Sequence, residues 1–388
     1  MSVDVVPILI HDPNKDAKSF LLGNYPGYPH WFGILIAAMR LEVKTNVPLA
    51  PLTTLGVGGP ARFFAETHTE NDVREAVDFA RRRDIPLFVL GGGSNLLVAD
   101  TGFHGLVLHV AIKGIDESDA GDRRLFQAGA GEDWDAFVNR AVEKNCAGIE
   151  CLSGIPGTLG ATPVQNVGAY GQEVADTITE VYALDLESGE VNEFSNEACG
   201  FAYRASIFNT VARNRFIILG VRFALLKNGP PKTDYRDLKN HLANHTGQPS
   251  LAEVRRAVRD IRHSKAMLIV EGDEDARSAG SFFKNPILSA AKFAEVQQIA
   301  DKRGLHVPSF PAPDGHLKIP AAWLVEQSGF PKGTTMGRVG ISRRHALAIV
   351  NRGGATAAEV AALKDEIRSA VSGQFGIDLT PEPVFLGF

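Results

Sequence analysis

The chain has 388 residues, and its 40 lysines and arginines are outnumbered by 45 aspartates and glutamates, which gives a formal net charge of −5. That length predicts two or three cores, and an apolar content of 44% is too high for a disordered chain. The mild negative charge and the lack of a basic run exclude an electrostatic basis for binding nucleic acid.

The cysteines and the apolar stretches restrict the class of protein further. Cys146, Cys151 and Cys199 are too few for a disulfide framework or a four-cysteine metal site, so a reducing, cytoplasmic location is expected. The apolar stretch at residues 32–39 is far shorter than the ~20 residues that cross a membrane. A charged opening and a cleavage pattern are also missing, so we expect neither a signal peptide nor membrane insertion.

Strand-like and helix-like segments alternate from residue 61 onward. Strands are predicted at 61–67 and 86–90, on either side of a helix that Thr69 caps and that ends near Arg83. Further strands are predicted at 105–110, 125–129, 178–186 and 215–225, and a helix at 133–144. This order is typical of a domain that mixes helices with sheets.

A change in composition at residues 227–232 indicates a domain boundary. After it, two capping boxes predict helices, from Ser250 to about His263 and from Thr356 to about Ser372. With a strand at 346–350, the last third of the chain is predicted to be an α+β domain.

A run of glycines follows the strand at 86–90 directly. Residues 91–95 are Gly-Gly-Gly-Ser-Asn, and Leu96 stands where a dinucleotide-binding fingerprint needs its third glycine. Three residues without Cβ let several backbone N–H groups converge on one anion, for which a pyrophosphate is the natural ligand. An ordinary tight turn explains this glycine run equally well.

A second glycine-rich segment is more specific. Residues 153–171 contain five glycines together with Gln165, Asn166 and Tyr170. Glycine loses the most backbone entropy on folding, so packing alone explains such a segment poorly. The pattern favours a backbone that wraps around a flat heterocycle and donates amide hydrogen bonds to it.

Two short motifs gain meaning only in combination. Taken alone, Arg204 in the sequence Tyr-Arg-Ala-Ser-Ile-Phe would be a surface charge, and Ser281 in Gly-Ser-Phe-Phe-Lys-Asn-Pro a turn hydroxyl. The ordered segments at 91–97, 155–171, 203–208, 280–286 and 381–382, however, resemble the UDP-N-acetylenolpyruvoylglucosamine reductases of peptidoglycan synthesis. The resemblance runs from about Val47 to the C-terminus and leaves residues 1–40 outside.

The resemblance implies an α+β fold with a two-lobed FAD-binding region of the vanillyl-alcohol-oxidase, or p-cresol methylhydroxylase, type. That region would span residues 45–228, with lobes at about 45–112 and 113–228, and a substrate-binding domain would follow at 229–388. FAD and NADPH are the implied cofactors, and UDP-N-acetylglucosamine enolpyruvate is the implied substrate. A cytoplasmic monomer in peptidoglycan precursor synthesis is expected, with a role in cell shape and division.

The resemblance also assigns the site. Arg204, Ser281 and Glu382 fall on the family's catalytic positions, and Pro383 is expected to keep Glu382 extended, within a strand. Tyr235 lies where one subgroup carries a tyrosine loop that folds over the substrate, and Lys265 and Asn285 resemble its diphosphate-binding partners. The predicted FAD-binding residues are Gly91, Gly92, Gly93, Ser94, Asn95, Gly157, Gly160, Gln165, Asn166, Gly168 and Tyr170.

This assignment implies a hydride delivered from the flavin to C3 of the enolpyruvyl group, with negative charge building on the neighbouring carboxylate. Arg204 and a protonated Glu382 would stabilise that charge, and Ser281 would donate a proton to C2. A flavin oxidase and a non-catalytic binding protein are the alternatives.

Two other groups of residues are candidate reactive sites. No further ligand supports a metal site at His241 and His245, so solvated histidines are expected. No histidine pattern supports Cys146 and Cys151 as nucleophiles, so packed thiols are expected.

Residues 1–40 are interpreted as a leader that need not be ordered, because they show no helix or strand periodicity. A chain that starts at Met39 is therefore expected to keep its flavin and its melting temperature. The alternative is that the apolar stretch at 32–38 packs on the body of the protein. Flavin content and a thermal melt decide between the two: lost flavin, or a melting temperature several degrees lower, would show that the leader contributes to the fold.

Overall fold

The computed structural model describes Val5–Val6 and residues 41–388. The helices are α1 (Glu70–Arg82), α2 (Trp134–Glu143), α3 (Arg236–His241), α4 (Leu251–Ser264), α5 (Ala290–Asp301), α6 (Ala321–Gln327) and α7 (Ala357–Phe375). The strands are β1 (Val5–Val6), β2 (Val43–Pro48), β3 (Pro60–Thr67), β4 (Leu87–Leu90), β5 (Leu96–Val98), β6 (Phe103–Val110), β7 (Ile115–Ala120), β8 (Arg123–Gly129), β9 (Cys146–Ala147), β10 (Gly168–Ala169), β11 (Gln172–Glu173), β12 (Ile178–Asp185), β13 (Val191–Ser195), β14 (Phe216–Lys227), β15 (Ile287–Leu288), β16 (Phe310–Pro311), β17 (Leu317–Lys318), β18 (Thr335–Met336), β19 (Val339–Ile341), β20 (Ile349–Asn351) and β21 (Val384–Leu386).

The first lobe is a five-stranded sheet in the order β1-β2-β3-β6-β4. Strands β3, β6 and β4 run parallel, and α1 connects β3 to β4. Thr69 and Asp72 form the capping box that starts α1, and Val73, Val77 and Phe79 lie on its buried face. The predicted strand–helix–strand unit is confirmed, and the first glycine run begins at the carboxyl end of β4.

One feature of this lobe bears on the N-terminal segment. The leader prediction lies outside the described residues except for β1, which pairs with β2 at Val43 and Lys44. A chain that starts at Met39 would therefore lose two paired positions at one edge of the sheet.

The second lobe is an antiparallel sheet in the order β13-β12-β14-β8-β7, with β9 added to β14. Helix α2, capped by Asp133, packs an aromatic cluster against this sheet. The ring centroid of Phe137 lies 5.8 Å from that of Trp134 and 5.1 Å from that of Phe223. These side chains belong to one continuous core that also includes Val43 and Phe79 of the first lobe.

The C-terminal part has a second core, built from α6, α7 and the small sheet β18-β19-β20. Both predicted capping boxes are confirmed, since Ser250 pairs with Glu253 at α4 and Thr356 with Glu359 at α7. Helix α7 buries Val360, Leu363, Ile367, Val371 and Phe375.

The end of the chain returns to the first lobe, where β21 pairs in parallel with β5. Glu382 lies outside this strand, between an isolated bridge at Pro381 and the start of β21 at Val384. The expectation that Glu382 lies within a strand is therefore wrong. Pro383 has no N–H to donate, so the ladder begins only after it.

The two alternative reactive groups have ordinary roles. Cys146, Cys151 and Cys199 are all buried, and burial raises the pKa of the Cys151 thiol, which makes it a poor nucleophile. His241 lies 3.7 Å from Asp260 and His245 lies 3.2 Å from Glu253, so each histidine faces its own carboxylate. Within the described ranges, no helix is both long enough and apolar enough to cross a membrane.

Candidate active site

A cavity of about 170 Å³ lies where both glycine-rich segments meet the C-terminal part. Arg204, Ser281 and Glu382 all line it, although the chain brings them from three separate segments. The predicted catalytic residues are thus placed together around one space.

Direct packing of the two glycine-rich segments forms one wall of the cavity. A Cβ on Gly92 would lie 2.4 Å from the Cα of Gly157, so only glycine permits this approach. Ser94 donates from its hydroxyl to the carbonyl of Pro156 at 2.9 Å, and Asn95 donates to Oε1 of Gln165 at 2.8 Å. Close packing of the two segments against each other therefore explains part of their glycine content. Neither the tight turn nor the ligand-binding loop expected from the sequence included this reason.

The same wall presents unused donors. The backbone N–H groups of Gly92, Gly93, Ser94, Gly157 and Thr158 have no acceptor among residues 41–388. Backbone donors that converge at the end of a parallel strand suit an anion such as a phosphate.

Arg204 is held rigidly at the cavity. Its backbone has φ of 54°, in the left-handed region that non-glycine residues rarely adopt. Its Nη2 donates to the carbonyl of Gly168 at 2.7 Å, and its Nε lies 3.1 Å from Oε1 of Glu382. These contacts therefore fix the orientation of the guanidinium at the cavity.

Glu382 is fixed through its backbone. Its N–H donates to the carbonyl of Phe282 at 2.9 Å, and its carbonyl accepts from Asn95 at 3.2 Å. Burial raises the pKa of the Glu382 carboxyl, and the charges of Arg204 and Lys284 only partly oppose that effect. The side chain is therefore suited to carry a proton.

The Ser281 hydroxyl has no hydrogen-bond partner within the described part of the chain, and the residue is only partly buried. The next two residues, Phe282 and Phe283, are 0% and 2% exposed and belong to the C-terminal core. Both phenylalanines are thus core residues, and Ser281 is left free to face the cavity.

The predicted tyrosine loop lies beside this site. Tyr235 precedes α3 and is 46% exposed, so it is not a core residue. Its ring packs edge-on against Tyr170, with centroids 5.4 Å apart. Lys265 pairs with Asp237, and its Nζ lies 5.9 Å from the centre of the Tyr170 ring. Tyr235 and Lys265, two of the three predicted diphosphate partners, therefore share one cluster.

Protein contacts occupy three other predicted ligand-binding residues. Asn285 accepts the Ala321 N–H at the start of α6 with its Oδ1, at 2.8 Å. Asn166 is 1% exposed and bonds to Glu173, Ala202 and Ala175. Gly160 donates to the carbonyl of Ala130 at 2.8 Å. Their predicted ligand contacts stay predictions.

Several residues that line the cavity are not marked by any sequence motif, and two of them carry polar side chains of interest, Thr54 and Arg262. Thr54 reaches it from the turn after β2, and no motif singled it out. Arg262 is another, and its Nη2 donates to the carbonyl of Met267 at 2.7 Å while its buried Nε has no partner within the described residues. In the sequence, Arg262 looks like any of the arginines along α4.

Comparison with known protein families gives two matches. Residues 61–195 match the family described as "FAD binding domain", and residues 273–386 match "UDP-N-acetylenolpyruvoylglucosamine reductase, C-terminal domain". Together they span the cavity-lining segments from the first glycine run to Glu382, apart from the stretch between them that contains Arg204 and Arg262.

Similar proteins carry the same description over nearly the whole length. The UDP-N-acetylenolpyruvoylglucosamine reductase of Thermobifida fusca (strain YX) is 46% identical over 90% of this chain and 99% of its own. That of Pseudomonas aeruginosa is 40% identical over 89% of this chain and 99% of its own. The crystal structure of the Thermus caldophilus enzyme superposes with a TM-score of 0.59 at 25% identity, covering 89% of this chain and 99% of that one.

Proposed function

The chain belongs to the UDP-N-acetylenolpyruvoylglucosamine reductase family, and we propose that Arg204, Ser281 and Glu382 carry its catalysis with NADPH as the reductant. It is an FAD-dependent oxidoreductase that acts on a CH–CH group, reducing UDP-N-acetylglucosamine enolpyruvate to UDP-N-acetylmuramate in peptidoglycan synthesis. Its place in the cytoplasm as a monomer, and its importance for cell shape and division, are parts of the same proposal.

The residues at the cavity suit FAD. The unused N–H groups of Gly92, Gly93 and Ser94 provide donors for its diphosphate, and the segment from Ile155 to Gly168 provides a wall for its ring system. The chemistry that bound FAD would supply is hydride transfer, from the reductant to the enolpyruvyl carbon C3.

Arg204 and Glu382 are proposed to bind the substrate carboxylate, on which negative charge develops when C3 receives a hydride. The guanidinium provides donors fixed by Gly168, and the carboxyl of Glu382 provides a further one while protonated. An arriving carboxylate is a second anion beside Glu382, so it raises the pKa of that group further.

Ser281 is proposed to donate the proton that C2 requires. Its hydroxyl is not committed to a protein acceptor in the described chain, and it shares the cavity with Arg204 and Glu382. A serine hydroxyl is a weak acid, so this role depends on accurate alignment and on a supply of protons from solvent.

The observation that carries this proposal is the meeting of Arg204, Ser281 and Glu382 beside two loops rich in unused N–H donors. A steady-state assay tests it: beyond the one equivalent that reduces the flavin, NADPH absorbance should fall only when the enolpyruvyl sugar nucleotide is present, and UDP-N-acetylmuramate should accumulate in equal amount. NADPH consumption that does not depend on that substrate would contradict the proposal. Repeating the assay with NADH tests the choice of reductant.

Replacing Tyr235 by phenylalanine is expected to raise the KM for the sugar nucleotide while kcat changes little. The side chain is exposed and packs only edge-on against Tyr170, so the change removes a hydroxyl that is available to the diphosphate. Tyr182→Phe is the matched control, because the Tyr182 hydroxyl donates to Glu180 in the second lobe, away from the cavity. An unchanged KM, or a large loss of melting temperature, would refute the role of Tyr235.

A further inference from the structure

Thr54 connects the first glycine run to the segment that carries Ser281. Its hydroxyl donates to the carbonyl of Ser278 at 2.6 Å, across 224 positions of sequence. Its backbone N–H donates to the carbonyl of Gly93 at 3.1 Å. One residue therefore bonds both to the loop proposed to hold the FAD diphosphate and to the approach of the proposed proton donor.

Ser281 itself is positioned only through its neighbours. Its hydroxyl has no partner in the described chain, and a Cβ placed on the preceding Gly280 would meet nothing within 4 Å. The alignment of Ser281 therefore depends on the points at which the segment is anchored on either side.

The C-terminal side of the segment is anchored at Phe282. The N–H of Phe282 donates to the carbonyl of Leu347 at 2.8 Å, and its carbonyl accepts from Glu382, whose own carbonyl accepts from Asn95. This route joins the segment to the first glycine run at one end.

The N-terminal side is anchored at Ser278. This residue is 6% exposed and forms an isolated bridge with Val350, which ties it to the C-terminal core. The bond from Thr54 supplies the connection from this end to the first glycine run. Loss of the Thr54 hydroxyl would remove this connection between the N-terminal side of the segment and the first glycine run.

We propose that Thr54 is a positioning residue for proton transfer, whose hydroxyl holds Ser281 at the correct distance from the bound flavin and substrate. This inference rests on the proposed role of Ser281. A misplacement of about 1 Å can cost roughly 10²-fold in rate. Loss of this anchor is therefore expected to slow the step that Ser281 serves by about 10- to 100-fold.

The test compares Thr54→Ala, Thr54→Val and Thr54→Ser in the FAD-loaded protein. Stopped-flow absorbance should show flavin reduction by NADPH near the wild-type rate in all three. Reoxidation by the enolpyruvyl substrate should be slower in the alanine and valine variants and restored by serine, which keeps the hydroxyl. The alanine variant leaves room for a water molecule that can donate to the Ser278 carbonyl. It can therefore still be measured if the valine variant does not fold.

Thr53→Val is the matched control. Thr53 donates to the carbonyl of Ala50 and accepts from the N–H of Gly56, both at 3.1 Å, so its hydroxyl serves only its own turn. The control should leave reoxidation unchanged. Dissociation constants for FAD, and for the substrate from its perturbation of the flavin spectrum, should be close to wild type in the Thr54 variants.

Three results would overturn the proposal: equal slowing of both half-reactions, wild-type reoxidation in Thr54→Ala, or no restoration by serine. Ser281→Ala is measured in parallel, so that failure of the proposed role of Thr54 can be distinguished from failure of the proposed role of Ser281. Slow reoxidation in Ser281→Ala with normal reoxidation in Thr54→Ala would reject only the role of Thr54. Normal reoxidation in Ser281→Ala would reject the proposed proton donor itself.

Discussion

Replacing Ser281 by alanine is expected to slow reoxidation of the reduced flavin by the enolpyruvyl substrate by about 10²–10⁴-fold, the usual effect of losing a general acid. Hydride arrival at C3 leaves negative charge that a proton at C2 must neutralise. Reduction of the flavin by NADPH needs no such proton, so its rate should stay nearly intact. The two half-reactions can be followed separately by stopped-flow absorbance of the flavin.

Ser289→Ala is a suitable control for this variant. Ser289 caps α5 by accepting the Lys292 N–H, so its loss should cost about 1 kcal/mol of stability without touching the cavity. A destabilised protein with normal half-reactions would show that stability alone does not produce the Ser281 effect. If Ser281→Ala slows both half-reactions equally, the residue is structural, and if it slows neither, the assignment fails.

Replacing Glu382 by alanine is expected to reduce the rate of reoxidation by about 10²–10³-fold, as for the loss of one donor to a developing negative charge. Glu382→Gln should reduce the rate of reoxidation much less, because the side-chain amide still donates a hydrogen bond. The backbone N–H of residue 382 donates to the Phe282 carbonyl, and its backbone carbonyl accepts from Asn95. Both variants therefore keep these two contacts.

The pH dependence distinguishes the proposed protonated form of Glu382 from an ionised one. Burial raises the pKa of this carboxyl against the opposing charges of Arg204 and Lys284, so the protonated form is present at low pH and is lost as pH rises through that pKa. Wild-type reoxidation should therefore fall on the alkaline side, and Glu382→Gln should lack that fall. A Gln variant as slow as the alanine variant at every pH would show that the ionised carboxylate is required.

Much of the fold was predictable because its signals are local. The capping boxes at Thr356 and Ser250 and the apolar segments of β3, β6 and β14 each lie within a few consecutive residues. The fold class implied by the resemblance, a FAD-binding region followed by a C-terminal α+β domain, is confirmed by the family matches and the Thermus caldophilus structure. The domain boundaries at 228 and 229 stay a prediction.

Two of the strands that the sequence did not predict depend on distant pairing. Strands β5 and β21 have three residues each, and among residues 41–388 each forms its ladder with the other, from distant parts of the chain. A three-residue apolar segment carries no period by which a strand could be recognised. This pairing nevertheless places Glu382 beside Asn95.

The candidate site was predictable where a motif carries it and not elsewhere. Arg204, Ser281 and Glu382 lie in segments with a recognisable order, and the structure gathers them. Thr54 and Arg262 line the same cavity, but no sequence motif marks either residue. The bond from Thr54 to the Ser278 carbonyl and the burial of the Arg262 Nε arise only in the folded chain. Asn166 is the opposite case. Its position in a glycine-rich motif predicted a contact with the ligand, but its side chain forms hydrogen bonds with the protein.

Anaerobic titration of the purified protein, followed by its visible absorbance, shows whether the chain is a flavin-dependent reductase of the enolpyruvyl sugar nucleotide. We expect a yellow protein that NADPH bleaches and that UDP-N-acetylglucosamine enolpyruvate reoxidises, with one UDP-N-acetylmuramate formed per flavin. A colourless protein that binds only the sugar nucleotide would contradict the account, and so would a bleached flavin that oxygen reoxidises and the enolpyruvyl substrate does not.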